Sequence, residues 1–433
     1  MTPAVGYTEM RDSGIEWVGM IPKDWDINIL FQLVSQVKNK NKDLAETNLL
    51  SLSYGKIKRK NIDHTDGLIP ASFDSYNIID TGDIVLRLTD LQNDQTSLRV
   101  GRSTEKGIIT SAYITLRPVN HKTSKFLYYL LHAFDIRKGF YGMGAGVRQG
   151  LTYDEVKVLK LPLPSISEQT AIATYLDTQC AKIDEIIAEA KASIEDYKQW
   201  KASIIYEAVT KGLDPKAEMK DSGIEWIGEI PKSVSCSFVG KHFEITLGKM
   251  LCNSPDNDQY TLEPYYCAAN VHFSGILCDD LKEMWFSPLD KRKYLAQSGD
   301  LLVVEGGAGA GGSFVLSEQD KIAYFQNSIL RVRPKRDNNV RYLKYLIEAL
   351  VTQDYINYVC NRATIPHFTK EKLSATPFLV FSGIQQKGIA DHLDDVCAKI
   401  DKIISQKQSL VFDLESYKKS LIYEVVTGKR RAC

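Results

Sequence analysis

The sequence predicts an α+β protein: two mixed α/β domains joined by two long helices that form an antiparallel coiled coil, with a pseudo-twofold internal repeat. Three observations predict it. A short phrase occurs twice, EMRDSGIEWVGMIPK at 9–23 and EMKDSGIEWIGEIPK at 218–232, identical at twelve of fifteen positions. A longer block, 181–210, matches 398–427 without a gap at an offset of 217, identical at fourteen of thirty positions. Both blocks space their apolar residues alternately by four and three, the period of a coiled-coil seam.

In chain order the elements are a repeat segment at 1–24, a globular domain at 25–160 and a long helix with its lead-in at 161–217. The second repeat segment (218–232), globular domain (233–376) and long helix (377–433) follow. Ser165-x-x-Glu168 and Ser382-x-x-Gln385 are capping boxes that start the helices. Gly212 with Pro215 stops the first, and Gly428 stops the second. Each helix is then about 46 residues, or roughly 69 Å. The first seam is Leu176, Cys180, Ile183, Ile187, Ala190, Ile194, Tyr197, Lys201, Ile204 and Ala208; the second repeats it from Leu393 to Val425. Lys201 and Lys418 interrupt the seam at equivalent positions, where a polar residue sets register. The competing arrangement packs each helix separately on its own domain.

The two globular domains align only loosely. Gly82-Asp83 and Gly299-Asp300 each precede an apolar strand, IVLRL and LLVVE, and KFLYYLLHAF (125–134) matches RYLKYLIEAL (341–350) as one amphipathic helix. Two like helices imply one kind of partner engaged twice. Two domains alike in fold but not in surface imply two different things recognised.

The bulk composition narrows the class. Charged content of 25% and hydrophobic content of 44% are those of a globular protein. No run approaches eighteen apolar residues and no signal peptide is evident, so the chain reads as cytoplasmic and without a membrane role. Eight cysteines without a C-x-x-C pair and seven histidines without ligand spacing argue against a metal site. No nucleophile–base constellation emerges, so neither catalysis nor a cofactor is expected. Net charge is zero but unevenly shared: +5 over 25–160, −5 over 161–232, 0 over 233–376 and +2 over 377–433. GGAGAGG (306–312) satisfies G-x-G-x-x-G, yet a dinucleotide site needs a helix directly after it, and SFVLSEQDKIAYFQ reads as strand and turn.

With these residues in place the chain resembles the specificity subunits of type I restriction–modification systems. DSGIEWVGMIPKDW, LRLTDLQNDQTSLRVG, GIITSAYITLRP and LPLPSISEQTAIATYLD carry the likeness, which spans essentially the whole chain. The second copy departs where Trp25 becomes Val234 and where PLPSISEQ becomes FLVFSGIQQ. The resemblance implies a non-catalytic reader of double-stranded DNA, whose two target recognition domains each read half of a bipartite asymmetric site. It also implies helices that set the half-site spacing and dock two modification subunits carrying S-adenosylmethionine. Restriction subunits carrying ATP would join them. The alternative is a coiled-coil protein adaptor with two protein-binding domains and no nucleic-acid role; a dinucleotide-dependent enzyme built on GGAGAGG is a further rival.

Phosphate positioning falls to the basic run Lys56, Lys58, Arg59 and Lys60, which otherwise is a solvated loop. Base reading needs forked donors or amides near turns, and Arg87, Gln92, Asn93, Arg99, Arg102, Arg148 and Gln149 fit. Gly142, Gly144 and Gly146 precede Arg148 and suit a loop that approaches a groove closely. In the second domain the candidates are Asn270, His272, Glu305, Asn327, Arg362, His367 and Lys370. Tyr206-Glu207 and Tyr423-Glu424 lie outside the seam yet are identical between copies. They either contact a partner subunit or finish the helix end against the DSGIEW segment.

Overall fold

The computed structural model of the 433-residue chain describes residues 7–60, 72–94, 96–143, 150–360 and 366–432. It divides into two compact units, Met1–Lys191 with Gln408–Cys433, and Ala192–Lys407. The long helices, Ile166–Lys211 and Gly383–Val426, are each shared between the units. Their lengths follow from the stop signals: Gly428 adopts φ +71°, and a Cβ there would sit 2.2 Å from Pro22 Cδ. Only glycine closes that end.

Within each unit the helix segments run antiparallel. In the first, Asp184 meets Lys418 at 2.6 Å and Lys191 meets Glu415 at 3.0 Å. In the second, Lys201 meets Asp401 at 2.8 Å, and Lys407 lies over the Tyr197 ring. The seam lysines are thus paired reciprocally, each with the aspartate equivalent to the other's. Every seam position from Leu176 to Ala208 is buried or half-buried. Each fully buried aliphatic side chain contributes about 1.5–3 kcal/mol, so the seam outweighs its polar interruptions. The helices also pack on the domains, since Ile172 to Ala190 share a core with Phe126, Leu130 and Leu131.

The helix starts differ. Ser382 and Gln385 form the full reciprocal box, with backbone N–H to side chain at 3.0 and 3.3 Å. In the first helix only Glu168 N–H to Ser165 Oγ forms, because the Glu168 carboxylate accepts from Tyr7 at 2.6 Å instead. A buried glutamine one residue on closes both ends alike: Gln169 donates to Pro164 O and Gln386 to Phe381 O, each at 2.8 Å.

Both units repeat one sheet plan. In the first, four antiparallel strands stand in the order Val34–Gln36, Ile114–Pro118, Ile84–Leu86, Val100–Arg102. In the second the order is Phe243–Leu247, Ile329–Pro334, Leu301–Val304, Ser313–Val315. The matching helices, Ser124–Ile136 and Val340–Thr352, pack on these sheets as their apolar faces require. A distal strand set also recurs, but its connections diverge. Leu50–Ser53 and Lys56–Arg59 are joined by a tight turn with both central residues at positive φ, Tyr54 at 47° and Gly55 at 77°. The corresponding pair, Thr261–Tyr266 and Lys282–Phe286, encloses an additional turn of helix and a hairpin, Val271–His272 with Gly275–Ile276.

One buried group in the first unit resists acid. His132 lies inside the helix packed on the seam, and among the described residues its Nδ1 has no partner. Burial, with the Lys418 charge adding to it, pushes its pKa down from 6.5 to about 4. The unfolded chain therefore binds a proton that the folded chain refuses between these values. Stability is fully present above pH 6.5 and is lost as pH falls toward 4. Denaturant titrations should show that between pH 6.5 and 5 the wild type loses about 2 kcal/mol relative to His132→Gln; the buried Asp135 carboxyl, pushed up to about 6, gains stability over the same range in both. An equal loss in the variant would place the sensitivity elsewhere.

Candidate nucleic-acid interface

In each unit two loops meet at one end of the four-stranded sheet. In the first unit, loop 87–99 joins the strands ending at Leu86 and starting at Val100, and the chain returning from the 124–136 helix lies beside it. Leu151 N–H donates to Leu88 O at 2.9 Å. In the second unit Phe368 N–H donates to Glu305 O at 2.6 Å, the same bond shifted by 217 residues. Each unit carries one glycine at this crossing, on opposite sides. Gly150 lies beside Thr89 in one, whereas in the other a Cβ on Gly306 would meet the His367 ring at 2.7 Å.

The glycines of GGAGAGG are this second loop. Strand Ser313–Val315 follows at once, and Gly311 N–H donates to Val304 O at 2.9 Å. The segment is a hairpin connection with no helix behind it, as its downstream residues implied.

Several candidates are presented outward. Arg87 is half-buried and Gln92 exposed, and neither side chain has a partner among the described residues. Asn93 is exposed and donates to Asp90 at 2.7 Å. Lys56, Lys58, Arg59 and Lys60 are exposed on or just beyond the distal hairpin, whose Leu52 and Ile57 pack onto Gly101. Arg59 is tied to Glu105 at 2.7 Å, and that bond raises its pKa, so part of its charge is already answered. In the second unit Glu305 holds the exposed His367 ring at 3.1 Å, and Lys370 is exposed. His272 is exposed, with its ring beside Ala269 O at 3.1 Å, and Asn327 is half-buried. Arg148, Gln149, Gly144, Gly146 and Arg362 lie outside the described residues.

Other candidates are corrected. Arg99 is fully buried and hydrogen-bonded to backbone carbonyls, so it cannot reach a base edge. Asn270 is also buried: its amide donates to Leu277 O at 3.0 Å while its carbonyl accepts Cys267 N–H at 2.9 Å, which organises a turn. Arg102 points inward and donates to Ser124 Oγ at 2.8 Å; burial lowers its pKa. The signal that misled is common to Arg99 and Asn270. A forked donor near a turn serves the turn's own carbonyls as readily as a base.

The paired tyrosines take the second of their two readings. Tyr206 Oη donates to Trp226 O and Ile227 O at 3.0 Å, and Tyr423 Oη to Trp17 O and Val18 O at 3.0 and 3.5 Å. The hydroxyls close the DSGIEW segment on the helix end. Glu207 stays exposed, whereas Glu424 lies 4.0 Å from Arg430. The sequence reading passed over Lys291, Arg292 and Lys293 on the short helix Pro288–Tyr294 of the second distal set. Lys291 pairs with Glu263, while Arg292 and Lys293 are exposed. Their adjacency in DKRKY was the available signal.

Among the described residues no cluster of His, Cys, Asp or Glu could hold a metal ion, and no helix is long and apolar enough to cross a membrane. Among the described residues the loops present amides and cations.

Comparison with known proteins fits this geometry. The family model described as the type I restriction modification DNA specificity domain matches twice, over residues 102–196 and 255–411. Each match runs from a globular domain onto a long helix. The type I restriction enzyme MjaX specificity subunit of Methanocaldococcus jannaschii is 24% identical, covering 96% of this chain and 95% of that protein. A chain from a structure reported as the basis of complex assembly and conformational transition of the type I R-M system shares the fold. Its TM-score is 0.69 at 15% identity, over 94% of this chain and 98% of that one. The HsdS subunit from Thermoanaerobacter tengcongensis matches with TM-score 0.52 at 15% identity and the same coverage. A chain whose repeated halves both match the specificity-domain model belongs to the type I restriction modification DNA specificity family, as a specificity subunit and not a catalytic one.

Proposed function

We propose that each unit reads one half of a bipartite, asymmetric DNA site, while the long helices set the spacing and dock two modification subunits. Those subunits bring S-adenosylmethionine, and restriction subunits bring ATP. One observation carries this reading. The units share strand order and the stitched loop pair, yet place different residues on the loops, whereas the helices keep one seam and fourteen of thirty residues in their matching block. Near-zero net charge suits a subunit whose partners supply much of the phosphate contact that dominates affinity.

Mapping methylated sites in cells with and without the chain tests the function itself. A bipartite motif that appears only with the chain is the expected result. Division of labour is tested by substitution. Arg87→Ala should relax one half-site by about 1–3 kcal/mol of base discrimination, and leave the other half unchanged. Changing Lys58, Arg59 and Lys60 together to alanine should weaken all sequences alike. Because Glu105 already answers Arg59, the salt slope should fall by about 2 rather than 3. A triple variant with an altered target motif would overturn the positioning role.

A further inference from the structure

Loop 87–99 has to hold a defined shape without secondary structure of its own. Thirteen residues separate the paired Leu86 from the paired Val100, and loops of such length need internal support. Leu88 and Leu91 anchor it in the core, and one side chain gathers its carbonyls. The Arg99 guanidinium is fully enclosed. It donates from Nη1 to Thr89 O at 3.0 Å, from Nη2 to Asp90 O at 3.4 Å and to Asp94 O, and from Nε to Tyr141 Oη at 3.3 Å. Tyr141 Oη donates in turn to Asp94 O at 3.1 Å, and the Asp94 carboxylate lies 3.6 Å from the guanidinium. The Arg99 backbone N–H is held by Asp135 Oδ2 at 2.5 Å, and Arg99 O accepts from Arg87 N–H at 2.9 Å. The loop is wrapped around a cation, with Gln92 and Asn93 exposed on its outside.

The second unit does this differently. Its loop is shorter, with nine residues between the paired Val303 and Ser313. It closes on its own backbone: Ala310 N–H to Gly307 O at 3.1 Å, Gly312 N–H to Gly309 O at 2.8 Å, and Gly311 N–H to Val304 O. No side chain is needed where glycines let the amides turn inward.

We propose that Arg99 is the positioning residue of the first reading loop, fixing how Gln92 and Asn93 are presented to DNA, with no counterpart among the described residues of the second unit. Only a planar fork with five donors spans three carbonyls and a phenol together. Lysine keeps the charge but offers one nitrogen, so Arg99→Lys leaves the loop filled and its carbonyls unevenly held. The inference rests on the reading that this loop faces DNA, and the experiment separates the two.

The full-length chain and its modification subunits are expressed in cells, and genomic methylation is mapped for Arg99→Lys, Arg99→Met and the double variant Gln92→Ala/Asn93→Ala. The double variant should relax the first half-site. Both Arg99 variants should relax the same base positions about tenfold, the loss of roughly one base contact, and leave the second half-site intact. A strict first half-site in folded Arg99→Lys, beside a relaxed one in the double variant, would overturn the positioning role. A strict first half-site in the double variant would instead overturn the reading that this loop faces DNA. If neither Arg99 variant folds, Arg99 is a core stabiliser and the proposal fails. Faster amide hydrogen exchange confined to residues 88–94 in Arg99→Lys would support it.

Discussion

A chain truncated after residue 215 is expected to pair with itself and to direct methylation to a symmetric site made of two copies of the first half-target. In the first unit residues 408–432 complete the core around the repeat segment. In a self-paired half chain, 191–215 of the second copy would take their place. The central polar contacts transfer, whereas at the helix end Gly428 and Lys429, which donates to Val18 O, become Lys211 and Gly212. Lys201 would meet Asp184 as Lys418 does at 2.6 Å, and Tyr206 would close on Trp17 and Val18 as it already does on Trp226 and Ile227.

The apolar contacts transfer too. Ile194, Ile204, Ile205 and Val209 would replace Val411, Leu421, Ile422 and Val426. Only Ala208 in place of Val425 loses bulk, about 1.5 kcal/mol for two methyl groups. One pair reverses sign. Glu415, which holds Lys191 at 3.0 Å, becomes Lys198. That pair is exposed, and such pairs are worth about 0.2–1 kcal/mol and are screened by salt. The seam therefore prevails. Sedimentation at micromolar concentration and moderate salt should show a dimer, and methylation mapping with the modification partner should show a palindrome. A monomer would mean that the two helices specify each other and not themselves.

Arg117→Met should cost the first unit about 3–5 kcal/mol. The Asp83 carboxylate is almost wholly enclosed and accepts from Arg117 Nε at 2.8 Å and Nη2 at 2.7 Å. Removing the arginine leaves that charge with one backbone donor, Asp80 N–H at 2.8 Å. The outer Asp80 partner is half exposed and contributes little. Adding Asp83→Asn should recover more than half of the loss, since the penalty lies in the stranded charge and not in missing packing. Equilibrium denaturation of the single and double variants measures this. A double variant no more stable than Arg117→Met would assign the cost to packing. The second unit repeats the device with Arg333 on Asp300 at 2.5 and 2.8 Å, so Arg333→Met should behave alike.

These two pairs show where reading the sequence stops. Gly82-Asp83 and Gly299-Asp300 stood out as repeated turn residues, and their glycines do take positive φ, 95° and 87°. Nothing local announced Arg117 or Arg333, because the ion pairs join neighbouring strands far apart in the chain. The seam was legible over its whole length, since heptad spacing is a property of one helix. The capping serines were legible as well, yet Tyr7 drew Glu168 out of the first box through a contact across 161 residues.

Repetition, period and punctuation in the sequence by themselves determined two like domains and two long antiparallel helices, and the likeness of its phrases pointed to the family. All of these depend on short-range pattern. The tertiary structure alone decided which polar side chains face outward. Gln92 and Arg99 sit in one loop with the same local credentials. One is presented to solvent and the other is enclosed, because only the folded loop turns three carbonyls toward a common centre that a guanidinium must fill. Whether a polar residue binds outward or holds its own backbone is set by what the rest of the chain places around it.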